Sequence, residues 1–170
     1  MKRLILAMSF AVFAAPLYAQ SGSLAPPRAQ WLDLAGPRFG VTVLSDGVVA
    51  KLAEREIRVN SAVSQFGWQW ERQFFSGENN VTAVSEWVAL LGGLDQGVVL
   101  PSLSWLVGVR TKEGVEFGVG PNATPAGVAL AIAAGITIRA GSFNVPMNLA
   151  VVPTKAGVRV SMLSGFTLRR

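Results

Sequence analysis

Large apolar residues alternate with small or polar residues along most of this chain, and this pattern constrains the fold more than any other feature. In residues 127–140, every second position from Val128 to Ile138 is an aliphatic residue. The positions between them hold alanine, glycine, threonine and Arg139. Because successive side chains of a β-strand point to opposite faces, a period of two predicts strands with two unlike faces.

The same alternation recurs in segments that are separated by short runs of turn-forming residues. Glycine, asparagine, aspartate and proline in these runs are typical of hairpin turns. The predicted strands cover residues 38–45, 62–75, 79–93, 97–111, 114–120, 127–140, 142–153 and 157–169. Strands joined by such short links pair with their neighbours in the chain. We therefore predict an all-β fold, an up-and-down antiparallel β-barrel of about eight strands.

One segment between the first two strands has a different period. In residues 46–58, Val48, Val49, Leu52 and Ala53 share one face at helical spacing. This pattern predicts one short amphipathic helix near 46–58. The helix could plug the barrel, lie on a membrane surface or contact a partner, and its moderate apolar face does not choose among these.

The beginning of the chain has the character of an export signal. Lys2 and Arg3 precede an apolar run that ends at Ala15, and Ala19 supplies a small residue at a cleavage site. The run is shorter than the roughly 20 residues of a spanning helix, so a removable Sec-type signal peptide is predicted. The predicted division is 1–19, signal peptide; 20–37, irregular N-terminal arm; 38–170, β-barrel.

Composition excludes several classes of chemistry. The chain has no cysteine and no histidine, so thiolate, serine–histidine and histidine–metal sites are excluded. Its 15 Lys and Arg residues form no clusters interleaved with aromatic residues, and nucleic-acid binding therefore has little support. We expect no enzymatic activity, no metal and no cofactor.

The two strand faces distinguish a membrane barrel from a soluble one. In nearly every strand, the mid-strand charges fall on the face that carries the small residues. The narrow interior of an eight-stranded barrel needs small side chains, whereas a water-facing surface does not. Lipid outside and a polar lumen inside explain both faces, which favours an outer-membrane barrel. The alternative is a soluble periplasmic β-barrel that binds an apolar ligand or a protein partner.

Seven charged residues share the lumen face, and we predict that they form a structural ion-pair network because an isolated buried charge is costly. These residues are Glu71, Glu86, Glu116, Arg110, Arg139, Arg159 and Arg169. A functional alternative is a charged lumen that tunes ion passage or binds a small anion. Pairing further predicts that Arg139→Leu destabilises the barrel more than Ile138→Leu.

Aromatic residues are frequent on the opposite face. Those predicted to lie at a membrane interface are Phe66, Trp68, Trp70, Trp87, Trp105, Phe143 and Phe166. Aromatic residues favour the interfaces of membrane barrels, so we interpret this set as an interface girdle or as lipid-facing anchors. An aromatic binding stripe is the alternative.

With these strands, residues 38–170 resemble the small eight-stranded outer-membrane β-barrel proteins, which have the architecture of OmpX and the OmpA membrane domain. Members of this family end on a strand with an aromatic residue near the C-terminus, and Phe166-Thr-Leu168 looks like such an ending, although two arginines follow it. The resemblance implies a Gram-negative bacterium, location in the cell outer membrane and a structural, anchoring or surface-interaction role. It also implies contact with outer-membrane lipid and with the barrel assembly machinery during insertion.

Overall fold

The computed structural model describes residues 34–76 and 81–168, and these residues are mainly β-strand. The predicted signal peptide, residues 1–19, lies outside the described residues. The strands are β1 (Gly36–Leu44), β2 (Ala62–Ser76), β3 (Val81–Gly92), β4 (Leu100–Thr111), β5 (Val115–Thr124), β6 (Gly127–Ala140), β7 (Phe143–Thr154), β8 (Gly157–Gly165) and β9 (Thr167–Leu168). One α-helix, α1 (Asp46–Ala53), follows β1, and a 3-10 turn at Leu94–Gln96 precedes β4.

The strands from β1 to β8 form a closed antiparallel barrel. Each pairs with the next in the chain, and β1 also pairs with β8, so that Val41 lies opposite both Ser64 and Met162. β9 follows Phe166 and extends the last strand by pairing with β7. The predicted fold class, an eight-stranded up-and-down barrel with one short helix, is therefore confirmed.

The predicted boundaries near the N-terminal end of the barrel need correction. β1 begins at Gly36, so the last two residues of the predicted arm, 20–37, belong to the barrel. The helix ends at Ala53, before the predicted limit of residue 58. Glu56 has a φ of 64°, a left-handed conformation that an α-helix does not continue through.

The segment 120–127 was predicted to be a loop because it is rich in glycine, proline and asparagine. In the structure, β5 continues through it to Thr124. Pro121 is exposed on the outer face opposite Leu130. The Asn122 amide points into the lumen and donates hydrogen bonds, each 2.9 Å long, to the hydroxyls of Ser102 and Ser104. Partners on β4 and β6 therefore override the local turn preference.

The two faces of the strands divide as the alternation predicts. Large apolar side chains such as Val128 and Leu130 point outward and are exposed. Alanines between them, such as Ala131 and Ala133, are buried in the lumen. On β6 the bulky face is therefore the outside of the barrel, and the small-residue face is the inside. β3 departs from this division, because Val84, Val88 and Leu90 are buried in the lumen.

Helix α1 covers one end of the lumen. Val48 and Leu52 are buried in a cluster with Leu44, Val63 and Leu100, which lie where the strands end. Of the three roles considered for the helix, this packing matches a plug. The opposite end of the barrel holds the start of β1 and the end of β9. Neither helix in the described segments is long and apolar enough to cross a membrane.

Candidate functional site

The most highly charged part of the lumen is centred on Arg110. Alternation along β4 points this side chain inward, and the same alternation on the neighbouring strands presents Glu71, Glu86 and Glu116 to it. The strand register places Arg110 opposite Glu116, and Glu71 opposite Glu86. Four adjacent strands, β2 to β5, thus bring one cation and three carboxylates together.

Every carboxylate of this Arg110 cluster contacts the guanidinium directly. Glu71 accepts two parallel hydrogen bonds, 2.5 Å from Nη1 and 2.6 Å from Nη2. Glu116 accepts from Nε at 2.9 Å and from Nη2 at 2.7 Å, and Glu86 accepts from Nη2 at 3.0 Å. The Arg110 side chain is only 3% exposed. Such bidentate contacts are the strongest that arginine makes, and they hold the cluster in one geometry.

Small residues on the far side of the lumen make room for the Arg110 cluster. Asn148 on β7 donates a 2.5 Å hydrogen bond to Glu116 Oε1. Between them, on β6, stands Gly135, where an added Cβ would lie 2.7 Å from the same oxygen. A side chain at this position of β6 would therefore displace the Glu116 carboxylate from its place in the cluster.

Three predicted members of the network are not seen in the cluster. Arg139 is exposed at the end of β6 and donates to the Lys112 carbonyl at 2.6 Å. Arg159 is buried near the α1 end and donates to Thr124 Oγ1 at 2.5 Å. Neither forms an ion pair with a described residue, so the predicted pairing is wrong for both. Arg169 lies outside the described residues.

This placement reverses the prediction for Arg139. We expect Arg139→Leu to lower the free energy of unfolding by about 1 kcal/mol or less, because it removes one exposed hydrogen bond and strands no carboxylate. Urea titration of the folded barrel, with Ile138→Leu as the matched control, measures the difference. A loss of several kcal/mol for Arg139→Leu alone would show that the guanidinium has a buried partner.

Sequence reasoning missed one further buried cation, Arg38. It is 1% exposed, and its Nε donates to Gln69 Oε1 at 3.0 Å. Its other nitrogens donate to the carbonyls of Pro37 (2.9 Å) and Leu34. The alternation of β1 could have identified this residue, because Arg38 occupies one of its inward positions.

The predicted interface aromatics lie at different heights on the outer face. Trp70, Trp87 and Trp105 are register partners and form one row across the middle of β2, β3 and β4. The rings of Trp87 and Trp105 stack with centroids 5.8 Å apart. A girdle requires positions near the strand ends, which only Phe143 and Phe166 occupy clearly. The mid-strand tryptophans do not fit a girdle, and their role as lipid-facing anchors stays a prediction.

Phe66 and Trp68 extend this aromatic surface towards the α1 end. Phe66 pairs with Leu91, and Trp68 pairs with Ala89, whose small side chain leaves a groove between its neighbours. Both aromatic side chains are about half exposed, at 50% and 45%. These five predicted aromatics therefore lie on one side of the barrel, on β2 to β4. Exposed phenylalanines on the adjacent strands, Phe39 on β1 and Phe117 on β5, continue the surface.

The loop between β3 and β4 is fixed to the start of β2. Asp95 accepts a hydrogen bond from the Ser64 hydroxyl, which lowers the pKa of the Asp95 carboxyl. Gln96 adds two contacts, since its side chain donates to the Ala62 carbonyl at 2.8 Å and accepts from the backbone N–H of Asn60 at 2.7 Å. This end of the barrel thus has an ordered rim beside α1.

A cavity of about 90 Å³ lies in the lumen between α1 and the Arg110 cluster. Aliphatic side chains form most of its wall, including Val48 and Leu52 from the helix. Glu86 borders it from the cluster, and Arg159 borders it from β8. Within residues 34–76 and 81–168, no group of three or more acidic side chains is placed to hold a metal ion.

The chain matches no protein-family model, no curated protein and no solved structure. Its function therefore has to be inferred from the geometry of the barrel itself.

Proposed function

We propose that this protein is a β-barrel of the cell outer membrane with a structural, anchoring or surface-interaction role and without catalysis. The observation that carries the proposal is the exposed apolar outer face, which is present on all eight strands. One exposed large residue from each strand, β1 to β8, is Val41, Trp70, Trp87, Val109, Phe117, Leu130, Leu149 and Met162. Soluble monomers rarely expose contiguous apolar patches beyond a few hundred Å², whereas lipid requires such a face.

The closed backbone supports the same proposal. In lipid, backbone polar groups need partners within the protein, and a closed barrel pairs every strand with two neighbours. The pairing of β1 with β8 removes the free edges that an open sheet would have. Most charges on the strands lie inside, in the Arg110 cluster and at Arg38 and Arg159, where lipid does not reach them. The exposed exceptions are Arg72 on β2 and Arg139 at the end of β6.

The filled lumen favours an anchoring role over a pore. An eight-stranded barrel is just wide enough for its own side chains. Here Arg38 and the Arg110 cluster occupy one part of the lumen, and α1 covers one end. These features give little support to a water path, so the narrow-channel hypothesis is the weaker one.

The topology suggests an orientation for the inserted barrel. The described chain ends, near Gly36 and Leu168, lie at the same end, opposite α1. Export through the predicted signal peptide, 1–19, would leave that end in the periplasm and α1 on the outer side. Phe166 and Leu168 are exposed on the last strands, as a signal for the barrel assembly machinery would need to be.

Membrane fractionation tests this proposal. The full chain, with residues 1–19 retained, is expressed in a Gram-negative host, and the membranes are washed with carbonate. We expect recovery in the washed outer membrane and a mobility difference between unheated and boiled gel samples. A host periplasmic protein in the same lysate controls for trapping. Recovery with that soluble control would overturn the proposal and favour the soluble, ligand-binding barrel.

A further inference from the structure

We propose that the lumen contains a binding site for a small carboxylate with a short alkyl chain. The site is the 90 Å³ cavity between α1 and the Arg110 cluster. Arg159 is the group that binds the carboxylate, and the aliphatic wall holds the chain. This inference goes beyond an anchoring role and does not depend on the barrel's location.

Arg159 is a buried cation with unused hydrogen-bond donors. The residue is 5% exposed, and among the described residues only its Nη1 has a hydrogen-bond partner, the Thr124 hydroxyl at 2.5 Å. Its Nε and Nη2 are buried and make no hydrogen bond within the described part of the chain. No described carboxylate forms an ion pair with it. Because a buried charge without a partner is costly, this guanidinium requires an anion.

The two unused donors define the shape of that anion. In a guanidinium, the N–H groups of Nε and Nη2 leave the same edge in parallel and match the two oxygens of a carboxylate. Arg110 uses this edge to bind a carboxylate, since its Nε and Nη2 both donate to one oxygen of Glu116, Oε2. The equivalent edge of Arg159 is unoccupied, and the residue borders the cavity.

The surroundings of Arg159 select an anion with an apolar part. Its register partners are Leu44 on β1 and Val152 on β7. Leu44 belongs to the apolar cluster under α1, and Val152 belongs to a second cluster with Leu106, Ala131 and Ala133. An alkyl chain bound to a carboxylate at Arg159 would contact both clusters. Phosphate, by contrast, has no apolar part to place against these two clusters.

The cavity also limits the size and orientation of the ligand. One water, which has one non-hydrogen atom, needs about 15 Å³ of such a cavity. The cavity of 90 Å³ therefore accommodates about six non-hydrogen atoms, the number in butyrate. Glu86 borders the cavity as well and would repel a second carboxylate. The ligand carboxylate is therefore placed at Arg159 rather than at the Arg110 cluster. Arg38 also borders the cavity, but its Nε, Nη1 and Nη2 all donate hydrogen bonds within the protein.

Butyrate and its neutral analogue butyramide provide the first test on the unmodified protein. The folded chain in a non-ionic detergent is titrated with each probe, up to about 10 mM, and binding is followed by NMR line broadening of the probe. We expect saturable butyrate binding and at least about tenfold weaker butyramide binding, because only the anion pairs with the guanidinium. Equal binding of the two probes, or no saturable binding, would overturn the proposal.

Two arginine variants locate the site. Arg159→Gln should weaken butyrate binding at least about tenfold, whereas Arg139→Gln, at an exposed arginine, should leave it unchanged. Equal losses in both variants would overturn the assignment to Arg159. If Arg159→Gln does not fold, the comparison of butyrate with butyramide still tests whether the lumen binds a carboxylate. Binding of inorganic phosphate in place of butyrate would overturn the apolar part of the proposal. None of these outcomes alters the fractionation result.

Discussion

Arg110→Met is expected to lower the free energy of unfolding by about 3–5 kcal/mol, the usual effect of removing one partner from a buried ion pair. The substitution keeps an unbranched side chain but removes every hydrogen bond that Arg110 donates to Glu71, Glu86 and Glu116. Three carboxylates would then share a buried space without a cation in contact. Urea titration of the folded barrel, followed by tryptophan fluorescence and by the unheated gel shift, measures the loss.

A combined variant separates lost charge pairing from lost packing. Arg110→Met together with Glu71→Gln, Glu86→Gln and Glu116→Gln removes the whole set of charges. We expect it to recover most of the stability, because neutral amides avoid the penalty of stranded carboxylates. If the combined variant is as unstable as Arg110→Met alone, the loss comes from shape and not from charge. A single substitution with little effect would contradict the geometry of the Arg110 cluster.

The barrel could be predicted from the sequence because its main signal is local. Each strand shows its own alternation, so residues 127–140 identify two faces without information from any other strand. The same rule places Arg38 on the lumen face of β1, although the sequence analysis did not include it. Local signals fail where tertiary partners decide, as at Asn122, which is held by hydroxyls on β4.

The charge pairing could not be predicted because alternation shows which face of a strand a side chain lies on, but not how far along the barrel axis it lies. Arg110 and Arg139 both occupy inward positions of their strands. Register sets Arg110 opposite Glu116, whereas Arg139 lies opposite Asn144, one pair before the strand ends at Ala140. Which cation meets which carboxylate thus depends on the alignment of all strands, and no single segment contains that information.

The cavity at Arg159 could not be predicted from the sequence for a related reason. Helix α1 closes one end of the cavity. The sequence of such an amphipathic helix is equally consistent with a plug, with a helix on a membrane surface and with a helix that contacts a partner. Only the packing of Val48 and Leu52 against Leu44 shows that the helix covers the lumen. Beneath the helix, Arg159 Nε and Nη2 make no hydrogen bond within the described residues and lie beside a cavity, and these two facts together point to a ligand.

On the outer face, Ile132→Arg is expected to lower the free energy of unfolding in lipid vesicles by about 2–4 kcal/mol. Ile132 lies near the middle of β6, is 42% exposed, and stands between Val119 and Val151 on the neighbouring strands. In a membrane barrel this position faces the centre of the bilayer, where an arginine is poorly solvated. Urea titration in vesicles measures the loss.

Ala140→Arg is the matched control, on the outward face at the end of the same strand. Near an interface the same charge should lower the free energy of unfolding by only about 0–1 kcal/mol. In a soluble barrel both positions would face water, and both changes would stay within about 0.5 kcal/mol of zero. Small, equal effects would therefore contradict a lipid-facing surface at Ile132. The Arg110→Met result cannot make this distinction, because the interior of the barrel is the same in either environment.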